Sequence, residues 1–204
     1  MKRRTFLRDL TLGSILASLP AKWAFAKGKP AGDAPVPKRA LAHTGEQLSI
    51  IGFGGILLND NGQAFANETV AKAYDAGVNY FDVAPTYGNA ESLMGPALKP
   101  YRNHCFLACK SGQWEYDKAR EELHESLQNL QTDHFDLYQL HALSSMEDLE
   151  KAFAPKGSME LIEKAKKEGK IRYIGFSAHN EDVALKAMDM YDFDTILFPL
   201  NFVA

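Results

Sequence analysis

Cysteine is almost absent from this 204-residue chain, and the two present, Cys105 and Cys109, share one apolar run, HCFLAC. Read as a strand at ~3.3 Å per residue, the run holds them ~13 Å apart, too far to bridge. A disulfide framework is thereby excluded. The pair reads as two small buried hydrophobes, and no metal site is expected. Long hydrophobic runs are also missing: none reaches the ~20 residues that a membrane-spanning helix needs. Nor is there an excess of basic charge, since 23 Lys/Arg stand against 26 Asp/Glu for a formal net charge of −3. A surface of that sign repels nucleic acid and anionic membrane, and neither is expected as a partner.

A short cluster of basic charge stands at the start. MKRRTFLRDL places Lys2, Arg3, Arg4 and Arg8 ahead of a short apolar run from Leu10 to Leu19, and Ala24-Phe25-Ala26 follows. These are the three parts of an export signal with an A-x-A cleavage site. Arg3-Arg4 before Thr5, Phe6 and Leu7 resembles the twin-arginine pattern, so residues 1–26 are expected to be a signal peptide read by the twin-arginine export machinery. A periplasmic or otherwise exported location follows from that expectation, with no stable membrane insertion after cleavage. The first 26 residues carry five Lys/Arg and one Asp, which leaves 178 residues with a formal charge of −7. Residues 27–40, KGKPAGDAPVPKRA, hold three prolines, two glycines and no apolar periodicity, and read as a flexible linker.

From Leu41 the chain alternates. Apolar runs at 48–54, 78–83, 105–110, 135–141, 171–177 and 195–201 start about 24 to 36 residues apart, the spacing of βαβ units. Between them lie segments with helical spacing: Val70, Ala73 and Tyr74; Ala119, Leu123, Leu127 and Leu130; Met159, Ile162 and Ala165; Val183, Ala184, Ala187 and Met188. Asp117 and Asn180 are placed as N-caps, Ser144 with Glu147 reads as a capping box, and Gly77 and Gly169 stand where helices stop. Strands apolar on nearly every residue belong to a parallel sheet covered on both faces, in a barrel or a doubly wound fold. GFGG at 52–55 lacks the third glycine of a dinucleotide fingerprint. Chemistry spread over several strand ends favours the barrel.

Those strand ends carry Asp82, Lys110, His141 and Ser177, with Tyr87 in the loop after Asp82. Each alone has a plain structural use: a turn cap, a snorkelling cation, a rim histidine, a half-buried phenol. Their order is more specific. Asp82 and Tyr87 in FDVAPTYG, Lys110 at the end of CFLACK and His141 closing DLYQLH resemble the aldo-keto reductases, and HTGEQLSIIGFGG and GKIRYIGFS are similar to that family's N-terminal hairpin with first strand and its fifth strand. The resemblance extends from about Leu41 to the end. It implies an α/β parallel (β/α)8 TIM-barrel type fold, with about six of the eight βα units present in residues 41–204. It also implies reduction of an aldehyde or ketone by hydride from NADPH, with NADH possible, and a small-molecule carbonyl substrate.

The chemistry fits the resemblance. Hydride addition to a carbonyl builds negative charge on its oxygen, so a proton donor must stand there. Tyr87 is the candidate acid, Lys110 the cation beside it, Asp82 the carboxylate that holds the ammonium, and His141 a second hydrogen bond to the carbonyl oxygen. Phe53, Tyr87, Trp114 and the loop from Ala142 are candidate walls of the mouth. Ser177, Asn201 and Gly54 are the candidates for touching the cofactor. The family's Ser-Asn pair after the fifth strand reads Ser177-Ala178 here, and Leu197 stands where the sixth strand carries Gln. Strands seven and eight, whose loops hold the cofactor's phosphates in the family, are not visible, so the chain is expected to be a fragment of a longer reductase. Two other readings are a catalytically impaired reductase-like fragment or non-catalytic partner subunit, and a barrel lyase or isomerase with no nicotinamide that uses Lys110 as a Schiff-base amine.

Overall fold

Strands that are apolar on both faces must be covered on both, and a computed structural model of the chain, describing residues 34–200, shows how. A short antiparallel hairpin, β1 (Lys38–Ala40) with β2 (Gln47–Ser49), comes first. Six strands then pair in parallel: β3 (Phe53–Gly54), β4 (Tyr80–Asp82), β5 (Phe106–Ser111), β6 (Phe135–Leu143), β7 (Ile171–Ala178) and β8 (Thr195–Leu197). Between them run α1 (Gln63–Asp75), α2 (Ala90–Leu98), α3 (Tyr116–Asn129), α4 (Met146–Phe153), α5 (Ser158–Lys167) and α6 (Glu181–Met190). The strand order in the sheet is the order in the chain. A doubly wound sheet reverses its order at a switch point and a barrel does not, so this is barrel architecture with six strands described.

Side-chain alternation sorts each strand into an outer and an inner face. Outward, Phe81, Leu107, Cys109, Tyr138, Leu140, Ile174 and Phe176 join the helices in one large buried cluster. Inward, Phe106, Ala108 and Leu137 pack with Leu41, Leu48, Tyr80 and Tyr173, so the hairpin's leucines meet the strand interior. The helix faces expected from spacing pack on the core, Ala73, Tyr74 and Leu127 only partly buried, with one exception. Met188 is exposed and, with Leu185, Ile196 and Leu200, lines a groove of about 670 Å³ beside β8.

Several local expectations shift. The run 48–54 is two strands, not one: Ser49 turns the chain by donating its hydroxyl to the Ile51 carbonyl while its N–H goes to Asn79 Oδ1, and Ile50 and Ile51 are exposed. The linker expected through residue 40 ends earlier. Val36 N–H bonds the Ala76 carbonyl and Lys38–Ala40 is a strand, because backbone pairing with β2 needs no apolar periodicity. Asn180 caps α6 as expected, its Oδ1 accepting from Val183 N–H. Asp117 lies in the first turn of α3 and Glu115 is its N-cap residue; the cap of α4 is Ser145 with Asp148, one residue beyond the expected box. Helix α2 escapes sequence reading because Gly95-Pro96 resembles a turn. Gly95 is there for close approach, since a Cβ would sit 2.4 Å from the Asn129 carbonyl oxygen. Gly77 and Gly169 do end helices, at φ +94° and +77°. The signal expected in residues 1–26, the linker up to residue 33, and Asn201 lie outside the described residues. Among those described, no helix is long and apolar enough to cross a membrane.

At the end opposite the candidate site, Asp136 on β6 is buried and takes bonds from Arg102 Nη1 at 2.9 Å, Arg172 Nη1 at 2.6 Å and Leu107 N–H at 2.9 Å. Removing such a carboxylate leaves the Leu107 amide without its acceptor and takes the buried anion from Arg102 and Arg172, which keep only their outer partners, Thr132 and two carbonyls for Arg102 and Glu46 for Arg172. Asp136→Ala is expected to cost about 3 kcal/mol of stability, read as a lowered urea midpoint, without altering the opposite rim.

Candidate active site

The C-terminal ends of β4 to β7 carry the polar side chains of the strand interior. Tyr80 and Asp82 alternate inward on β4, Ala108 and Lys110 on β5, Leu137 and Gln139 on β6, and in the paired register Asp82 faces Ala108 and Lys110 faces Gln139. Lys110, only 1% exposed, therefore has its ammonium inside the strand ends. There it makes a short ion pair with Asp82 Oδ1, donates to the Val83 carbonyl at 3.3 Å, and reaches Tyr87 Oη at 3.4 Å. The same ammonium lies 5.0 Å from the centre of the Tyr87 ring.

Asp82 is held from its other side as well. Gln139 Nε2 approaches Oδ2 at 3.4 Å, and Tyr80 lies two residues earlier on the same inward face of β4. Burial pushes the Asp82 acid up, while Lys110 and Gln139 pull against that rise. Burial, with the Asp82 charge beside it, also drives the Tyr80 phenol well up, so Tyr80 stays a donor. Sequence reading missed Gln139 and Tyr80. The signal was available: each lies two residues before a candidate on the same strand, and a period of two puts both on one face.

His141 is delivered by an irregularity. The β6–β7 register shifts between Leu140 and Leu143, Ala142 has φ +53°, and Ala142 N–H bonds Ser177 Oγ at 2.7 Å. A bulge of this kind re-aims a side chain. His141 ends edge-on to Tyr87, ring centres 5.8 Å apart at 84°, with Nδ1 3.3 Å from Thr86 Oγ1. Asp82, Tyr87, Lys110 and His141 are thus brought together.

The other candidates are placed as follows. Ser177 is buried at the end of β7, its oxygen accepting from Ala142 N–H and its proton without an acceptor among the described residues. Gly54 is exposed on β3, where a Cβ would meet nothing within 4 Å. Leu197 on β8 is exposed and offers no hydrogen bond, and Asn180 has its Oδ1 engaged in the α6 cap. Phe53 is not at the mouth: it is buried against Phe81, ring centres 5.3 Å apart. Trp114 is half-buried against the core, its carbonyl accepting from Ser158 N–H.

The sequence matches the aldo/keto reductase family over residues 50–203. This chain belongs to that family. Among curated relatives it is 30% identical over 168 residues to L-galactose dehydrogenase of Arabidopsis thaliana, covering 74% of this chain and 51% of that protein. It is 32% identical over 171 residues to the aldo-keto reductase YhdN of Bacillus subtilis, covering 74% and 49%. The chain spans about half the length of these relatives. Among solved structures, a Bacillus halodurans aldo-keto reductase in its holo form superposes with a TM-score of 0.71 at 28% identity, over 81% of this chain and 58% of that one. The barrel assignment and the family membership of this chain rest on those matches together with the strand order.

One electrostatic feature of the reductase site is measurable by itself. Burial, then the Lys110 charge, then His179 lower the His141 pKa from 6.5 to about 4. The folded ring stays neutral while the unfolded one takes a proton below about 6.5, so His141's contribution is complete above that pH and is lost as pH falls toward 4. Because the ring is partly solvated, the loss is about 1 to 2 kcal/mol. Urea titrations at pH 7 and pH 4.5 are expected to show a smaller drop for His141→Gln than for the wild type, by that amount.

Proposed function

We propose that this chain reduces an aldehyde or ketone to an alcohol with hydride from NADPH or NADH, Tyr87 giving the proton. The observation that carries the proposal is Lys110: a buried ammonium pinned by Asp82 and aimed at the Tyr87 hydroxyl. A bound nicotinamide supplies the hydride, which no side chain can. The described residues fit the reactive end of such a cofactor. Ser177 keeps a free proton for the carboxamide at the end of β7, and Gly54 leaves open space on β3. A bound carboxamide would have fewer partners here than the family's pattern supplies, because Leu197 stands where the sixth strand carries Gln.

Within that site Tyr87 donates its phenolic proton to the carbonyl oxygen as charge develops there, and the Lys110 ammonium stabilises the phenolate left behind. Asp82, held on its other oxygen by Gln139, keeps the ammonium from swinging away. His141, uncharged at neutral pH, orients the carbonyl through an N–H. The Schiff-base reading is weaker on this geometry, since an ammonium paired to a buried carboxylate is a poor nucleophile. A relative 28% identical over 170 residues is named NADH-specific methylglyoxal reductase of Escherichia coli, so either nicotinamide is within the proposal. The proposal includes export through the twin-arginine route, on the strength of Arg3-Arg4 and Ala24-Phe25-Ala26.

The test is a titration of the full chain with NADPH and NADH followed by fluorescence, then addition of small aldehydes and ketones. Cofactor binding with carbonyl-dependent oxidation supports the reading. No fluorescence change up to millimolar cofactor rejects it in favour of a non-catalytic partner.

A further inference from the structure

His141 has one hydrogen-bond partner among the described residues, and it is Thr86, at 3.3 Å between Oγ1 and Nδ1. The two residues are 55 positions apart and meet because the β6 bulge turns the imidazole toward the loop after β4. That loop is fixed by its own backbone: Tyr87 N–H bonds the Ala84 carbonyl at 3.0 Å and Ala90 N–H the Tyr87 carbonyl at 3.2 Å. Thr86 is β-branched, so its hydroxyl has few directions to choose from.

A neutral imidazole carries one N–H, and the partner of one nitrogen decides where that proton sits. Burial first, and then the Lys110 ammonium, oppose a second proton on the ring, so at neutral pH the choice is between two tautomers. With the proton on Nδ1, the ring would donate to Thr86 and present the bare lone pair of Nε2 to a carbonyl oxygen, which repels it. With the proton on Nε2, Nδ1 accepts from the Thr86 hydroxyl and Nε2–H is free to donate. Only the second arrangement lets His141 hold a carbonyl oxygen beside Tyr87. No other hydrogen bond engages Thr86 Oγ1 among the described residues, so its proton is available for this use.

We propose that Thr86 is a positioning residue whose hydroxyl donates to His141 Nδ1 and thereby fixes the imidazole as the Nε2–H tautomer. The same turn then presents the proton donor, Tyr87, and sets the state of the second hydrogen-bond donor. The use of that state in carbonyl orientation rests on the reductase reading, whereas the tautomer is a property of the chain alone.

Nitrogen-15 NMR of the full chain, labelled at histidine and recorded at neutral pH without cofactor or carbonyl, reads the tautomer directly. The chain has six histidines, and the His141 signals are those missing from His141→Gln. The wild type and Thr86→Ser are expected to show protonated Nε2 and bare Nδ1. Thr86→Val, which keeps the shape and removes the hydroxyl, is expected to shift the tautomer ratio toward Nδ1–H by about tenfold. A parallel kinetic series is expected to raise the carbonyl KM of Thr86→Val about tenfold, with NADPH affinity unchanged and Thr86→Ser near wild type. Because the spectra need no turnover, a chain that fails to reduce carbonyls leaves the tautomer result standing. Protonated Nδ1 in the wild type, or identical His141 spectra in wild type and Thr86→Val, would overturn the assignment.

Discussion

Tyr87→Phe is expected to lower carbonyl reduction by about 10²- to 10⁴-fold, the usual contribution of a positioned general acid. Only one oxygen is removed. The ring still packs against the core and stays edge-on to His141, so folding and nicotinamide affinity are expected to stay near wild type. What disappears is the hydroxyl 3.4 Å from the Lys110 ammonium. Steady-state kinetics with cofactor titration separates the two effects: kcat should fall while the cofactor Kd holds. A Phe variant with wild-type kcat would remove Tyr87 from the mechanism.

Lys110 offers a second large effect, and one that tells structure from chemistry. Lys110→Met keeps most of the buried volume but leaves Asp82 inside the strand ends without its ammonium. Breaking a buried pair from one side costs about 3 kcal/mol, and replacing both partners with neutral groups is close to neutral. The single variant is therefore expected to lose about 3 kcal/mol of stability and about 10²-fold or more of kcat. The double variant Asp82→Asn/Lys110→Met is expected to regain most of the stability and none of the activity. Urea titrations and kinetics on the three proteins check both halves. Recovered turnover in the double variant would mean that the ion pair serves folding alone.

The barrel was legible because its signals are local and repeated. Apolar runs at regular spacing, helical faces such as Ala119, Leu123 and Leu130, and stops at Gly77 and Gly169 all survive in the structure. The hairpin strand Lys38–Ala40 was not legible, because backbone pairing with Gln47–Ser49 creates it and its side chains are exposed. Helix α2 was hidden by Gly95-Pro96, whose reason lies across the fold at the Asn129 carbonyl. In the site, Asp82, Tyr87, Lys110 and His141 could be named from strand ends and order, with the family resemblance supplying their roles. Gln139 and Tyr80 were within reach of the same alternation. Thr86 was not, since its contact with His141 depends on a bulge between Leu140 and Leu143 that no residue type announces.

The most direct measurement is the fate of the hydride. NADPH and NADH carrying deuterium at the transferable position are incubated with the full chain and a small aldehyde, and the alcohol carbon is analysed by mass spectrometry. Deuterium in the alcohol made by the wild type, with about 10²-fold or more less labelled alcohol from Tyr87→Phe in the same time, is the predicted result. Unlabelled alcohol, no alcohol from the wild type with either cofactor, or equal labelling by Tyr87→Phe would contradict it.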